Sequence, residues 1–567
     1  MSTTRSSRHP VFDLADRFVD AFAATAPMEA TFAGIDGHDD RWGDLSPDGI
    51  VAMDGLLRDT RAELDRMPPP TDEDTALAVR ALADHLDPLI AEHDHDDPLR
   101  DLAHLGSTIT LLPEVLGLHD PETELGRSSL LARLRSLPEA LAGWRRRMEL
   151  AVARQVLVAR RQAESVVRQL RDAVADGGGI TQAATRLVDA DTGLAGEVER
   201  HLGRVRAAAE DTARWLEASY LPVAPERDGV GPERYHRALH GHLGTDLDVD
   251  ETTAWAWEQL GVLLARAEQV AARIDPDAGM RAVLDRLRHD PAYAAPSPEA
   301  FRALMQERQE LALDKLAGAH FDVPEEIRRV DVRLAPPGGA LGAYYVGPSE
   351  DLSRPGSIWW ALGDRQVIPL YEEVSTAYHE GFPGHHLQTG VQVTLGERLS
   401  RAHRMLIWNP GYGEGWALYA ETLMDELAYL EEPAYELGYL TSSLLRILRV
   451  VVDIGLHLER PIPADAPVPA WSSVEPGTPW SFDRAVAALT EMAGVDRTYA
   501  DSEVTRYLGW PGQAISYAVG QREILRLRAA RRARDGDAFD LRAFHADVLG
   551  SGPVGLDHLG ERVLGRT

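Results

Sequence analysis

The chain has 567 residues, of which 44% are hydrophobic and 26% charged, and a formal net charge of -31 at pH 7. It is too apolar for a disordered protein and long enough for more than one packed region, while its acidity repels nucleic-acid phosphates and anionic lipid, so neither nucleic acid nor a membrane is the expected partner. It contains no cysteine, which excludes disulfides, thiolate metal sites and a thiol nucleophile and leaves His, Asp and Glu to hold any metal. Charge in Met1 to Pro10 is followed by no apolar stretch, and no window reaches the length needed to span a bilayer, so the expected location is the cytoplasm.

Most of the first 320 residues read as helices. Val198, Leu202, Val205, Ala209, Leu216 and Tyr220 recur at three- and four-residue steps and share one helical face, and similar periodicity fills 140–175 and 252–275. Breaks fall at Gly177-Gly178-Gly179, at 221–232 and at 290–298. The ligand-rich run Glu92-His93-Asp94-His95-Asp96-Asp97 lacks helical ligand spacing and reads as a solvated loop. Near residue 325 the pattern changes. Arg329 to Leu334 alternates like a strand, and Gly342 to Val346 and Ser357 to Trp360 are short aromatic, β-branched runs, together a small antiparallel sheet. Helices resume after Pro369, yield to a Pro-rich loop over 461–479, and restart behind Ser481 as a cap. The chain is therefore expected to be mainly α, with a helical region over 1–324 and a catalytic region over 325–567.

The chemistry concentrates in His379-Glu380-Gly381-Phe382-Pro383-Gly384-His385-His386. A hydrolytic zinc ion needs three protein ligands and an open position, commonly two His one helical turn apart with a Glu beside them as general base. Here residues 369–378 read as a helix leading into His379-Glu380, but Pro383 occupies the position one turn on. A residue seven positions along an ideal helix lies about 10 Å away, too far to share an ion. Gly381, Pro383 and Gly384 break the ladder, so a local bulge is expected to return His385, or else His386, toward His379. Glu414 is the expected third ligand, opening a helix after Gly413 with small neighbours that permit close approach; Glu421, seven residues on, is the alternative ligand or a partner for a ligating histidine. Glu380 is the expected general base.

These residues also resemble a known family. His379-Glu380-x-x-Pro383-Gly384-His385-His386-x-Gln388 and Glu414-Gly415-Trp416-Ala417 are similar to the bacterial family called domain of unknown function 885. Pro27-x-x-Ala30-Thr31-x-x-Gly34 looks like its opening signature, and Tyr507-x-Gly509-x-Pro511-Gly512-Gln513-Ala514-x-x-Tyr517-x-x-Gly520 like its closing one. The resemblance implies a large helical zincin-like fold, distantly similar to the angiotensin-converting-enzyme and carboxypeptidase Taq families, with the small sheet next to the active-site helix. It also implies peptidase activity, whereas the spacing alone points only to a hydrolytic metal site.

Two further stripes flank this segment. On the apolar helix 441–459, Arg446, Arg449, Asp453 and His457 fall along one side; an Arg there would bind a substrate carboxylate, or His457 would donate to the oxyanion, unless the stripe is a buried ion-pair network. Gln513, Tyr517 and Gln521 form the second, with Tyr517 the expected oxyanion donor and the glutamines facing substrate. A sheet edge near Tyr344 and Trp359, compatible with Pro336, Pro337 and Pro355, is placed to pair with an extended peptide. The expected function is a zinc metallopeptidase acting on short peptides; the alternative is a zinc-dependent amide hydrolase of a specialised metabolite. A His-Asp phosphohydrolase would need a His-Asp pair where His379-Glu380 stands, and a purely structural site has no use for Glu380.

Overall fold

The computed structural model describes residues 8–335, 342–363 and 365–565. The reading of the first seven residues, and of Pro336 and Pro337 as edge prolines, lies outside these. The chain parts into two compact units near residue 228 rather than near 324: one comprises the residues up to Asp228 with Ser400–Ile407 and Leu508–Trp510, the other Gly229–Leu399, Trp408–Tyr507 and the chain from Pro511 onward. The helices over 249–316 belong with the second unit because they pack on its later elements.

The first unit is helical. Helices Glu124–Arg154, Arg160–Val174, Gly179–Ala190 and Ala195–Trp215 bury a common apolar core, to which Val198, Val205, Ala209, Leu216 and Tyr220 all contribute from the expected face. The ligand-rich run at 92–97 is a loop only in part, because helix Glu73–Asp94 continues through Asp94 before the chain turns at Asp96. Arg133 is fully buried and explains the opening motif: its guanidinium donates to Thr31 Oγ1 at 2.7 Å and reaches the carbonyl of Pro27, while its Nε donates to the carbonyl of Arg41. The Thr31 hydroxyl in turn donates a hydrogen bond to Asp39 Oδ1 at 2.8 Å, and Gly34 turns the chain at a φ of +69°. The motif is a packing device.

In the second unit, α1 (Val249–Ile274) and α2 (Pro298–Leu316) precede a small mixed sheet. The strands of this unit are β1 (Ala294–Ala295), which lies before α2, then β2 (Val330–Leu334), β3 (Gly342–Val346), β4 (Gly356–Ala361) and β5 (Ile368–Pro369). β3 and β4 pair antiparallel as expected, but β2 joins β4 in parallel, giving the order β2-β4-β3. β4 is buried on both faces, which suits a central strand paired at both edges, and β3 is the half-exposed edge. β1 and β5 form a separate antiparallel pair.

The site helices follow: α3 (Glu373–Glu380), α4 (His385–Thr394), α5 (Pro410–Glu426), α6 (Pro433–His457) and α7 (Ser516–Asp535). α3 starts four residues later than 369 because Ile368–Pro369 is spent on strand pairing. α5 starts at Pro410, not at Glu414: Asn409 caps it by accepting from the amide of Tyr412 at 2.9 Å, and proline at the first helical position gives up no bond. The small residues of α5 admit α7. A Cβ on Gly415 would lie 2.5 Å from the carbonyl carbon of Gly520, and one on Gly520 would lie 1.9 Å from the carbonyl oxygen of Gly411. This close crossing sets Tyr517 near Glu414. Gly520→Ala is accordingly expected to destabilise the fold by about 1–3 kcal/mol through overpacking, measured by denaturant unfolding; an unchanged midpoint would count against the close crossing.

Candidate active site

The break that sequence spacing required is complete, not a bulge. α3 ends at Glu380, the Phe382–Pro383 peptide is cis, and α4 restarts at His385. The amide of Gly384 donates back to the carbonyl of Tyr378 at 3.0 Å, and a Cβ there would lie 2.0 Å from the carbonyl oxygen of His379, so only glycine fits. Buried Gln309 on α2 closes the turn: its Nε2 donates to the carbonyl of Ala377 at 2.8 Å and its Oε1 accepts from the amide of Phe382 at 2.7 Å. Trp416 on α5 donates its indole N–H to the carbonyl of Pro383 at 2.9 Å.

This turn brings His385 beside His379, their rings perpendicular with centroids 4.9 Å apart. Glu414 completes the group. Its Oε2 lies 3.4 Å from His379 Nε2 and 3.5 Å from His385 Nε2, and the three side chains offer ligand atoms all within 4.8 Å of one another. Two ligands about 2.0–2.1 Å from a tetrahedral ion sit about 3.3–3.4 Å apart. The donor set and its spacing therefore fit zinc. His386 turns away: its Nδ1 meets the Tyr345 hydroxyl at 3.0 Å and its Nε2 meets the carbonyl of Ile327 at 2.8 Å. Of the two alternatives, His385 is the one that joins the group.

Glu421 stands behind the group as a partner. Its Oε1 is 2.8 Å from His379 Nδ1, and its other oxygen accepts from Ser375. This bond turns Nε2 of His379 toward Glu414. Burial opposes charge on both groups, but without a metal the hydrogen bonds to Glu414 and Glu421 outweigh it and hold His379 up at about 10, while the two histidines hold Glu414 well below the usual carboxylate range. Glu380 has no hydrogen-bond or ion-pair partner among the described residues; burial pushes its carboxyl up, with His379 and His385 pulling the other way.

Tyr517 stacks on His379 with centroids 6.5 Å apart, and its hydroxyl has no partner among the described residues. Burial and the charge of Glu414 push that hydroxyl up to about 12, so it stays protonated at neutral pH. The other expected contributors differ. Gln521 does not face substrate: its amide donates to the carbonyl of Leu418 and the hydroxyl of Thr422, tying α7 to α5. The Gln513 carbonyl is taken by Arg506 Nη1 at 2.5 Å. Arg446 donates to the Ser442 hydroxyl at 2.5 Å, and its charge reaches Glu380 and Glu421. Arg449 donates to Glu503 at 2.7 Å and to the Tyr507 hydroxyl at 3.1 Å, and lies over the Tyr517 ring at 4.7 Å. Sequence reading missed Gln309 and Glu503. The spacing Glu503-x-x-Arg506-Tyr507 on one helix was the available signal for the latter; Gln309 had none.

His457 is not an oxyanion donor. It is fully buried, its Nδ1 accepts from the amide of Val230 at 3.4 Å, and its Nε2 faces the carbonyl of Tyr507 at 3.0 Å, so both nitrogens are committed. Burial lowers it to about 4. Its neighbour Asp453 accepts from the Tyr235 hydroxyl at 2.6 Å and the amide of Gly512 at 3.0 Å, and burial pushes it up to about 7. A carboxyl raised in the fold favours its protonated form. Its contribution is whole below its unfolded value, about 4, and is lost as pH rises through about 7. His457 contributes in the opposite sense, losing stability as pH falls from about 6.5 through about 4. Relative to Asp453→Asn, the wild type should therefore lose up to about 4 kcal/mol of unfolding free energy between pH 4 and 7. Parallel stability–pH curves would refute the assignment.

Comparison with known proteins bears on the family and the fold. The model of a family described as "Bacterial protein of unknown function (DUF885)" matches residues 27–563. None of the curated proteins matches the chain. A solved structure described as the "putative lipoprotein" from Colwellia psychrerythraea is similar over 97% of this chain and 98% of its own, with a TM-score of 0.80 at 21% identity. One from Shewanella oneidensis, described as a "putative lipoprotein of unknown function", covers 98% and 99% with a TM-score of 0.65 at 16% identity. At these identities the likeness is one of fold. With its motifs, its helical architecture and a match across nearly its whole length, the chain belongs to the DUF885 family.

Proposed function

We propose that the protein is a zinc-dependent metallopeptidase that hydrolyses short peptides. The observation that carries the reading is the convergence of His379, His385 and Glu414 beside the unpartnered carboxylate of Glu380. Two imidazoles and one carboxylate would hold the ion and leave a position open. The same donor set marks the helical zincins to which the motifs are distantly similar.

Bound there, zinc supplies Lewis acidity that lowers the pKa of a water and polarises an amide carbonyl. The chain does the rest. Glu421 fixes the ring of His379 so that Nε2 turns toward Glu414, where it would be free to hold the ion. Glu380 takes a proton from the attacking water on its carboxylate and returns it to the leaving amine. Tyr517 donates its hydroxyl to the oxygen that gains charge. Arg446 lends positive charge to the side of Glu380. The edge strand β3 runs beside α4, with Tyr345 bonded to His386, and offers an extended peptide a backbone partner.

The cytoplasm is the location that goes with this reading. Two solved structures of similar fold carry the description "putative lipoprotein", and fractionation of cells decides between the compartments.

Metal analysis of the purified protein should find about one zinc per chain, and peptide-library digestion read by mass spectrometry should find cleavage products. Glu380→Gln should keep the metal and lose about 10²–10⁴-fold in kcat; a variant that still turns over removes Glu380 as base. Tyr517→Phe should lower kcat by about 10²–10³-fold at unchanged zinc content, and full turnover would discard its role. Peptides methylated on alternate backbone nitrogens should be cleaved poorly at one register; uniform cleavage speaks against pairing with β3.

A further inference from the structure

The cluster behind Tyr517 holds more positive charge than it neutralises. Arg449 and Arg506 both lean on one carboxylate, Glu503: Arg449 Nη2 donates to it at 2.7 Å, Arg506 Nε at 2.9 Å and the Tyr507 hydroxyl at 2.7 Å. All three charged side chains are at least nine-tenths buried. Arg506 also gives Nη2 to Glu503 at 3.0 Å and Nη1 to the neutral Gln513. Arg449 spends Nε on Tyr507, and its Nη1 is buried with no hydrogen-bond partner among the described residues. A buried guanidinium that keeps the two N–H groups of Nη1 unmatched, in a cluster of two cations and one anion, is costly unless a further anion arrives.

The position of Arg449 says where that anion goes. The guanidinium lies 4.7 Å from the centre of the Tyr517 ring, and that ring stacks 6.5 Å from His379. The two separations together correspond to about three residues of extended chain at most. Of the carboxylates near the metal ligands, Glu414 and Glu421 are engaged by the histidines, and Glu503 already accepts four hydrogen bonds.

The geometry points to Arg449 Nη1 as the recognition point for the free C-terminal carboxylate of the substrate, which makes the proposed peptidase an exopeptidase that releases one to three residues from the C-terminus. This rests on the metallopeptidase reading for the cleavage and on the cluster alone for the anion. The planar fork of an arginine, with both N–H groups of Nη1 left over, binds a charged carboxylate more strongly than a neutral carboxamide, which offers it a single oxygen.

The first test needs no catalysis. N-acetylphenylalanine and its carboxamide are titrated into the metal-free full chain by calorimetry; the acid should bind at least about tenfold more tightly. Arg449→Met should abolish the difference, and Arg449→Met combined with Glu503→Gln keeps the cluster balanced should the single variant fail to fold. Equal binding of acid and amide by the wild type overturns the inference. The second test compares an N-acetylated tetrapeptide ending in a carboxylate with the same peptide ending in a carboxamide, using zinc-loaded protein. The acid should have a kcat/KM about 100-fold higher. Both cleaved at equal rates overturns C-terminal recognition while leaving the hydrolase; acid-selective binding without cleavage of either keeps the anion site and removes the hydrolase.

Discussion

Everything in the second unit depends on a backbone reversal within four residues. Between Glu380 and His385 the chain leaves one helix and starts another, so several amides and carbonyls lose their ladder partners at once. Each would be costly to bury unmatched. They are matched from three directions: by the chain's own amides returning to Tyr378 and Gly381, by the side-chain amide of Gln309, and by the indole of Trp416. The same groups that satisfy the turn also fix its shape, and the shape is what lets two histidines six residues apart face one carboxylate. The plain helical solution, two histidines one turn apart, would need none of this support.

A second constraint acts through the helices that carry the acids. Glu414 and Glu421 share a face of α5, one meeting both histidines and the other gripping His379 from behind. α5 can carry Glu414 so close to Tyr517 only because α5 and α7 touch backbone to backbone at Gly415 and Gly520. Behind Tyr517, the Arg449–Glu503–Arg506 cluster presses a cation on the ring. Packing thus hands electrostatics its geometry.

Much of this was legible in the sequence, and the reasons are local. The residue types of a metal site stand together at 379–386 and 414–421, and breaking residues between the histidines forecast that the helix could not run through. Helical periodicity around 198–220 predicted the buried face because every position on it is apolar. What was not legible depended on partners distant in sequence. Whether His385 or His386 joined the group was decided by Tyr345 and the Ile327 carbonyl, which occupy His386. His457 and Gln521 sat at the right spacing but were claimed by backbone carbonyls that no spacing reveals. The parallel pairing of β2 with β4 likewise was not legible, since β4 is a central strand buried on both faces and a short apolar run does not announce the direction of its neighbours.

The interior arginine of the first unit has a consequence for how kinship is read. Pro27, Thr31 and Gly34 hold their places through Arg133 and a turn. A relative can therefore retain that segment for architecture alone, with its histidines and glutamates lost and its chemistry gone. Inventories built on the opening segment count scaffolds. Only the pairing of His379, His385 and Glu414 with Glu380, checked chain by chain, separates members that carry the proposed site from those that inherited just the frame.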